Sequence, residues 1–123
     1  MKKTSKKIIK SFRDAIKGII YIFQTQRNFR IQIVFFVIVI ITALVLQLSM
    51  AETAVVIFAG GLVLVGEMIN TGLEKLVDLI SPEYHILAGK IKDISAGVVL
   101  VSSILAVIIG MIIFIPAILN LIK

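Results

Sequence analysis

Three long apolar runs, Ile31 to Leu48, Ala54 to Val65 and Ile94 to Leu119, constrain this chain more than any other feature. A helix needs about 20 predominantly apolar residues to cross a bilayer, within a range of about 17–25. The first and third runs qualify as they stand. The second is shorter and reaches spanning length only by taking in Glu67 and Asn70. Together the runs raise the hydrophobic share to 59% of 123 residues, against roughly 45–50% in soluble domains. The reading is an all-α membrane protein with spans at about 31–49, 53–73 and 94–118, forming a single domain over residues 1–123.

No cleavable signal peptide is expected, because mostly polar or amphipathic sequence precedes the first run and no small-residue cleavage site follows a short apolar core. The chain has no cysteine, which excludes disulfides, thiolate metal sites and cysteine catalysis.

Charge orients the spans. Residues 1–30 hold nine of the thirteen Lys and Arg against one acid, Asp14. The connection near Ser49 to Thr53 carries Glu52 and no base, whereas the region after the second span carries Lys75, Lys90 and Lys92. Because basic loops stay on the cytoplasmic side, the N-terminus and the second connection are expected there. Residues 4–25 place Ile8, Phe12, Ile16, Ile19, Ile20 and Phe23 at helical spacing among lysines, the pattern of an amphipathic helix lying on the membrane surface. Arg27 and Arg30, at the entry to the first span, are expected to snorkel toward headgroups. The first span itself shows only Thr42 and Gln47 as polar features, with no evident ligand chemistry.

The polar residues of the second span are regularly placed. Glu67, Asn70, Glu74 and Asp78 are separated by three, four and four positions, so they share one helix face. That face must meet protein, water or an ion, since turning it to lipid is costly. Pro82 is expected to break the helix, with SPEYHILAGK as a polar connection and Asp93 as a possible N-cap of the third span. Ser95, Ala96, Gly97, Ser102 and Ser103 suit close helix packing, and Pro116 is expected to kink or end that helix.

Taken as one constellation, Glu67, Glu74, Asp78, Glu83, Asp93, Asn70, His85, Lys90 and Lys92 all fall at or just beyond one membrane face. Oxygen donors with one His and no thiolate favour Mg²⁺, which commonly uses one or two protein carboxylates plus substrate phosphates. Lysines supply point charges for phosphate, and a carboxylate at the membrane edge suits a general base acting on an alcohol. The combination points to phosphoryl transfer to a lipid hydroxyl. Against it stand plainer readings: Glu74, Lys75 and Asp78 as a solvated helix end, and His85 as a surface residue. No Walker-type or kinase-type glycine loop is present.

The run E-M-I-N-T-G-L-E-K-L-V-D, Glu67 to Asp78, resembles the signature of the small bacterial membrane lipid kinases, which include the prokaryotic diacylglycerol kinases and undecaprenol kinases. The likeness continues through E-Y-H at 83–85, A-G-K-I-K-D at 88–93 and S-A-G at 95–97, and reaches back to N-F-R at 28–30 and I-I-K at 8–10. The resemblance implies a homotrimeric helical bundle, each copy having a surface helix and three spans, with the active site between copies at the cytoplasmic interface of the bacterial cell membrane. It implies ATP as co-substrate and no nucleic-acid partner. By position it makes Glu67 the base facing the lipid, with Ala96 also beside the lipid and Asn70 supporting catalysis. Glu74 would bind the metal ion and, with Lys7, Glu83, Tyr84, His85, Lys92 and Asp93, the nucleotide. The family places a metal-binding Glu three residues before the Phe-Arg pair, where this chain has Gln26, and an acid or His where it has Gln32. The C-terminal M-I-I-F-I-P-A-I-L-N-L-I resembles undecaprenol kinases, and EYHxLAGKxKD resembles diacylglycerol kinases, so either lipid alcohol fits. Two other readings remain: a multidrug-type transporter, which would be expected to have four spans and a midplane acid, and a catalytically impaired membrane scaffold of the same fold.

Overall fold

The computed structural model describes residues 1–123 as four helices and no strand. These are α1 (Lys2–Thr25), α2 (Arg27–Val45), α3 (Met50–Ile80) and α4 (Ile86–Ile122). The last three are each long and apolar enough to cross a membrane. At about 1.5 Å per residue, α2 is about 28 Å long, α3 about 46 Å and α4 about 55 Å, against a hydrocarbon core of about 30 Å. The two longer helices therefore carry polar turns past the apolar layer. α3 sits between α4, its most extensive neighbour, and α2, while α1 packs mainly on α2.

Only 11 of 123 residues are buried. Three apolar helices with so little enclosed surface leave most Ile, Leu, Val and Phe side chains facing outward, which suits an apolar surrounding. Small residues set the contacts. Gly66 of α3 is buried, with Ser102, Val98 and Val99 of α4 at ordinary contact distance of where a Cβ would stand. Gly60 lies against the Phe36 ring of α2, and a Cβ there would run into the ring.

The joints are short. Gln26 alone is extended between α1 and α2 (φ −109°, ψ 108°). The Arg30 guanidinium folds back across it, Nη1 donating to the carbonyls of Phe23 (2.8 Å) and Gln24 (3.0 Å). It thereby pairs two carbonyls at the end of α1 that lack helical partners. Arg30 is thus a helix cap rather than a headgroup anchor, because those carbonyls lie within its reach. Between α2 and α3, Gln47 adopts φ 53°. Leu48 N–H donates to Ala43 and Gln47 N–H to Leu44, both at 3.1 Å, which is the Schellman ending. Ser49 then caps α3 reciprocally with Glu52: Glu52 N–H donates to Ser49 Oγ (3.1 Å) and Ser49 N–H to Glu52 Oε1 (3.2 Å).

Two expectations about α4 need correction. Only Ser81–His85 is non-helical, so the ILAGK part of the expected connection is already helix. His85, not Asp93, is the N-cap, its Nδ1 accepting from Leu87 N–H at 3.1 Å. Asp93 lies inside the helix with its side chain exposed. Polar residues there do not end a helix once the segment projects into water. Nor does Pro116 end α4, which runs on to Ile122.

Candidate functional site

The polar face of α3 divides by depth. Glu67 is only 5% exposed and Asn70 is likewise buried, Glu74 is half-buried, and Asp78 is exposed. The expectation that this face turns toward protein holds at Glu67 and Asn70. Each deep polar group has a partner from a neighbouring helix. Gln32 of α2 donates Nε2–H to Glu67 Oε2 at 3.3 Å. Ser95 of α4, 2% exposed, donates Oγ–H to Asn70 Oδ1 at 2.7 Å. Asn70 in turn donates Nδ2–H to Glu74 Oε1 at 3.4 Å, one turn along α3. All three spanning helices thus contribute a side chain to two neighbouring polar links beside the apolar layer, Gln32–Glu67 and Ser95–Asn70–Glu74.

Those links fix what each group can do. The amide of Gln32 offers Glu67 a donor and no charge, so nothing in the protomer neutralises the carboxylate by ion pairing. Asn70 is held at both ends, its carbonyl by Ser95 and its amide by Glu74. Glu74 gives one oxygen to Asn70, and no donor in the chain reaches its other oxygen.

Further along, Lys92 of α4 pairs with Asp78 of α3, both substantially exposed. Lys92 precedes the apolar stretch that begins at Ile94. The hydrogen bond that Lys92 donates to Asp78 raises its pKa above the ordinary lysine value, against a smaller desolvation effect that lowers it and with further help from the charges of Asp78 and Glu74. The ammonium is paired with Asp78 at the end of α3.

The other expected site residues stand apart from this network within one chain. Lys7 is exposed on α1, where its carbonyl accepts from Ser11 Oγ. Gln26 is half-buried at the α1–α2 joint, and its amide reaches only Thr25 Oγ1 at 3.5 Å. Glu83, Tyr84, His85, Asp93 and Ala96 are all exposed. No group of three or more His, Asp or Glu side chains gathers as a metal cage.

Sequence alone does not give three participants their partners: Gln32 stands out only as a replacement, Ser95 suits packing, and Asp78 falls on the α3 face without its lysine. The signal for Gln32 was its solitude, an amide one residue inside an apolar run that no cap or turn explains.

Comparison with known proteins gives the family of the chain. The family model described as prokaryotic diacylglycerol kinase matches residues 13–114. A diacylglycerol kinase of Synechocystis is 44% identical over 93% of this chain, which covers 66% of that relative, just under two thirds of its length. The undecaprenol kinase of Bacillus subtilis is 36% identical over 89% of both chains. The diacylglycerol kinase of Escherichia coli is 31% identical over 83% of this chain and 84% of its own. The matched residues take in all of α2 and α3 and the part of α4 that lines the polar network, and the chain belongs to the prokaryotic diacylglycerol kinase family.

Proposed function

We propose that this protein transfers the γ-phosphoryl group of ATP to the hydroxyl of a membrane lipid alcohol, undecaprenol or diacylglycerol, at the cytoplasmic face of the bacterial cell membrane. The observation that carries the reading is the graded polar face of α3: a buried carboxylate at Glu67, an amide fixed at both ends at Asn70, and a half-exposed carboxylate at Glu74. Glu67 takes the proton from the lipid hydroxyl as the alcohol oxygen attacks the γ-phosphorus. The bond from that phosphorus to the β,γ-bridging oxygen breaks, and ADP leaves with the electron pair. The product is the lipid monophosphate, or phosphatidic acid for the glyceride.

Asn70 holds Glu74 and the helix face in register, and Lys92, paired with Asp78, meets the phosphates. The donor set suits Mg²⁺. Glu74, with its accessible carboxylate, and Gln26, brought to it across copies, would hold the ion, and ATP oxygens would complete the shell, as this ion prefers. When bound, the ion neutralises phosphate charge; the protein's part is to place Glu74 toward it. Lys7, Glu83, Tyr84, His85 and Asp93 contact the nucleotide, and Ala96 lies beside the lipid.

The assembly is a homotrimer whose site is completed across copies. Two features support this: the expected nucleotide residues stand away from Glu67 within one chain, and most of the bundle's apolar surface is uncovered. Basic α1 and the lysines near α4's start support a cytoplasmic N-terminus and site. Three spanning helices with acids at one end do not favour the transporter reading. Purified protein given ATP, Mg²⁺ and either diacylglycerol or undecaprenol should form a phosphorylated lipid; no product from either overturns the proposal.

A further inference from the structure

A cavity of about 320 Å³ lies where the turn between α2 and α3 meets the last turns of α4. Its wall includes Leu46, Gln47, Glu52, Ile112, Pro116 and Asn120. Glu52 stands about 22 Å along α3 from Glu67, so the cavity opens at the opposite membrane face. The turn's backbone closes on itself, but the side chains around this cavity do not. The reciprocal cap uses Oε1 of Glu52, and no hydrogen bond or ion pair engages Oε2. Pro116 has no N–H, so the carbonyl of Ile112 lacks its usual donor one turn on. Gln47 and Asn120 add two exposed amides. Acceptors thus surround one negative charge, and Lys123, the only basic residue after Lys92, does not line the cavity. Gln47 also holds φ 53°, where glycine is usual, and the side chain kept at that cost lines the cavity. A strained conformation retained in this way points to a use for the side chain.

We propose that this cavity holds a phospholipid headgroup bearing a primary ammonium, in the leaflet opposite Glu67. The ammonium donates to Glu52 Oε2 and the Ile112 carbonyl, and the amides of Gln47 and Asn120 donate to the headgroup phosphate. Three observations select this chemistry. A single carboxylate matches a single positive charge, whereas calcium takes about six to eight oxygens. A quaternary ammonium has no N–H to donate and is held by aromatic faces, and no aromatic side chain lines this cavity. Leu46, Leu48 and Ile113 complete an apolar side of the wall, which suits the glycerol end of a lipid rather than a free amine. The headgroup ties the α2–α3 turn to α4 and so stabilises the fold from the face away from the reaction centre. The inference is independent of the lipid-kinase reading.

The test titrates the full chain in detergent micelles with phosphatidylethanolamine, or with phosphatidylcholine of the same acyl chains, and follows the thermal midpoint. A ligand that binds only the folded state raises the midpoint, and phosphatidylethanolamine is expected to raise it by about 3–5 °C more than phosphatidylcholine. Glu52→Gln keeps an acceptor for Ser49 N–H and removes the charge, so it should abolish that difference. Asn120→Leu, outside the cap and near the end of α4, should reduce it. Equal shifts with the two lipids, or a difference that survives either substitution undiminished, overturn the proposal. Soluble phosphoethanolamine that raises the midpoint as far as the lipid does assigns the site to a free amine and overturns the lipid occupant. A midpoint indifferent to lipid that falls on Lys123→Gln assigns the ammonium to a neighbouring copy and also overturns it. Turnover is not read, so the result holds whether or not the protein phosphorylates a lipid.

Discussion

The polar turn between α2 and α3 and the polar face of α3 are both interruptions of a greasy chain, and they handle their hydrogen bonds in opposite ways. At the turn, residues 43–52 pair with one another: a Schellman ending, a reciprocal Ser49–Glu52 cap, and no partner from elsewhere in the chain. At the α3 face, Glu67 and Asn70 draw partners from α2 and α4, Asn70 also holds Glu74, and Gln32 Oε1 is still left without a donor. A region that closes locally contributes stability. One that spends three helices on positioning a few polar atoms and leaves one open is organised around something that must arrive. Substitutions in the two regions should therefore separate turnover from stability.

The largest effect is expected at Glu67. Glu67→Gln keeps an acceptor for Gln32 Nε2–H while removing the base, so turnover should fall by about 10²–10⁴-fold with the thermal midpoint nearly unchanged. A kinetic assay beside a melting curve in detergent checks this, and retained turnover would remove Glu67 from the base role. Next comes Ser95→Ala, which leaves buried Asn70 Oδ1 unpaired. It should cost about 1–2 kcal/mol of stability and lower turnover as well, because Asn70 then no longer holds Glu74 in register. Stability lost with turnover intact would show that the network only packs.

The smallest effects belong to the turn. Ser49→Ala should cost about 1 kcal/mol through the lost cap. Gln47→Gly should stabilise by about 0.5–1 kcal/mol, since a left-handed side-chain-bearing residue costs about 1–2 kcal/mol and glycine returns part of that gain as entropy. Neither should alter turnover. If unfolding measurements move as stated but turnover also changes, the contrast between a closed turn and an open face breaks down.

Much of this was legible in the sequence. Three apolar runs and the spacing of Glu67, Asn70, Glu74 and Asp78 announce the helices and the shared polar face, because both follow from helical periodicity alone. What escaped was pairing across helices. Nothing in a linear pattern says that Gln32 meets Glu67, thirty-five positions away, or that Ser95 meets Asn70. The start of α4 was misplaced because the polar run from Gly89 to Asp93 looked like a connection, and composition cannot tell a loop from a helix that has left the membrane. Gln47 was invisible for a different reason, as it occupies a place where glycine is the usual sign.

The unequal helix lengths bear on how the protein sits in different membranes. α2, about 28 Å long, is the one spanning helix that matches the hydrocarbon thickness, whereas α3 and α4 overrun it. Its hydrogen bond from Gln32 ties Glu67 to this shorter element. α2, a helix of nineteen residues, is thus the element through which a misfit with the bilayer would reach the carboxylate most directly. Thickening the membrane by a few ångströms, as sterols and long acyl chains do, would sink Glu67 relative to the plane where lipid hydroxyls collect. Membrane thickness then becomes a variable to which a protein of this build responds.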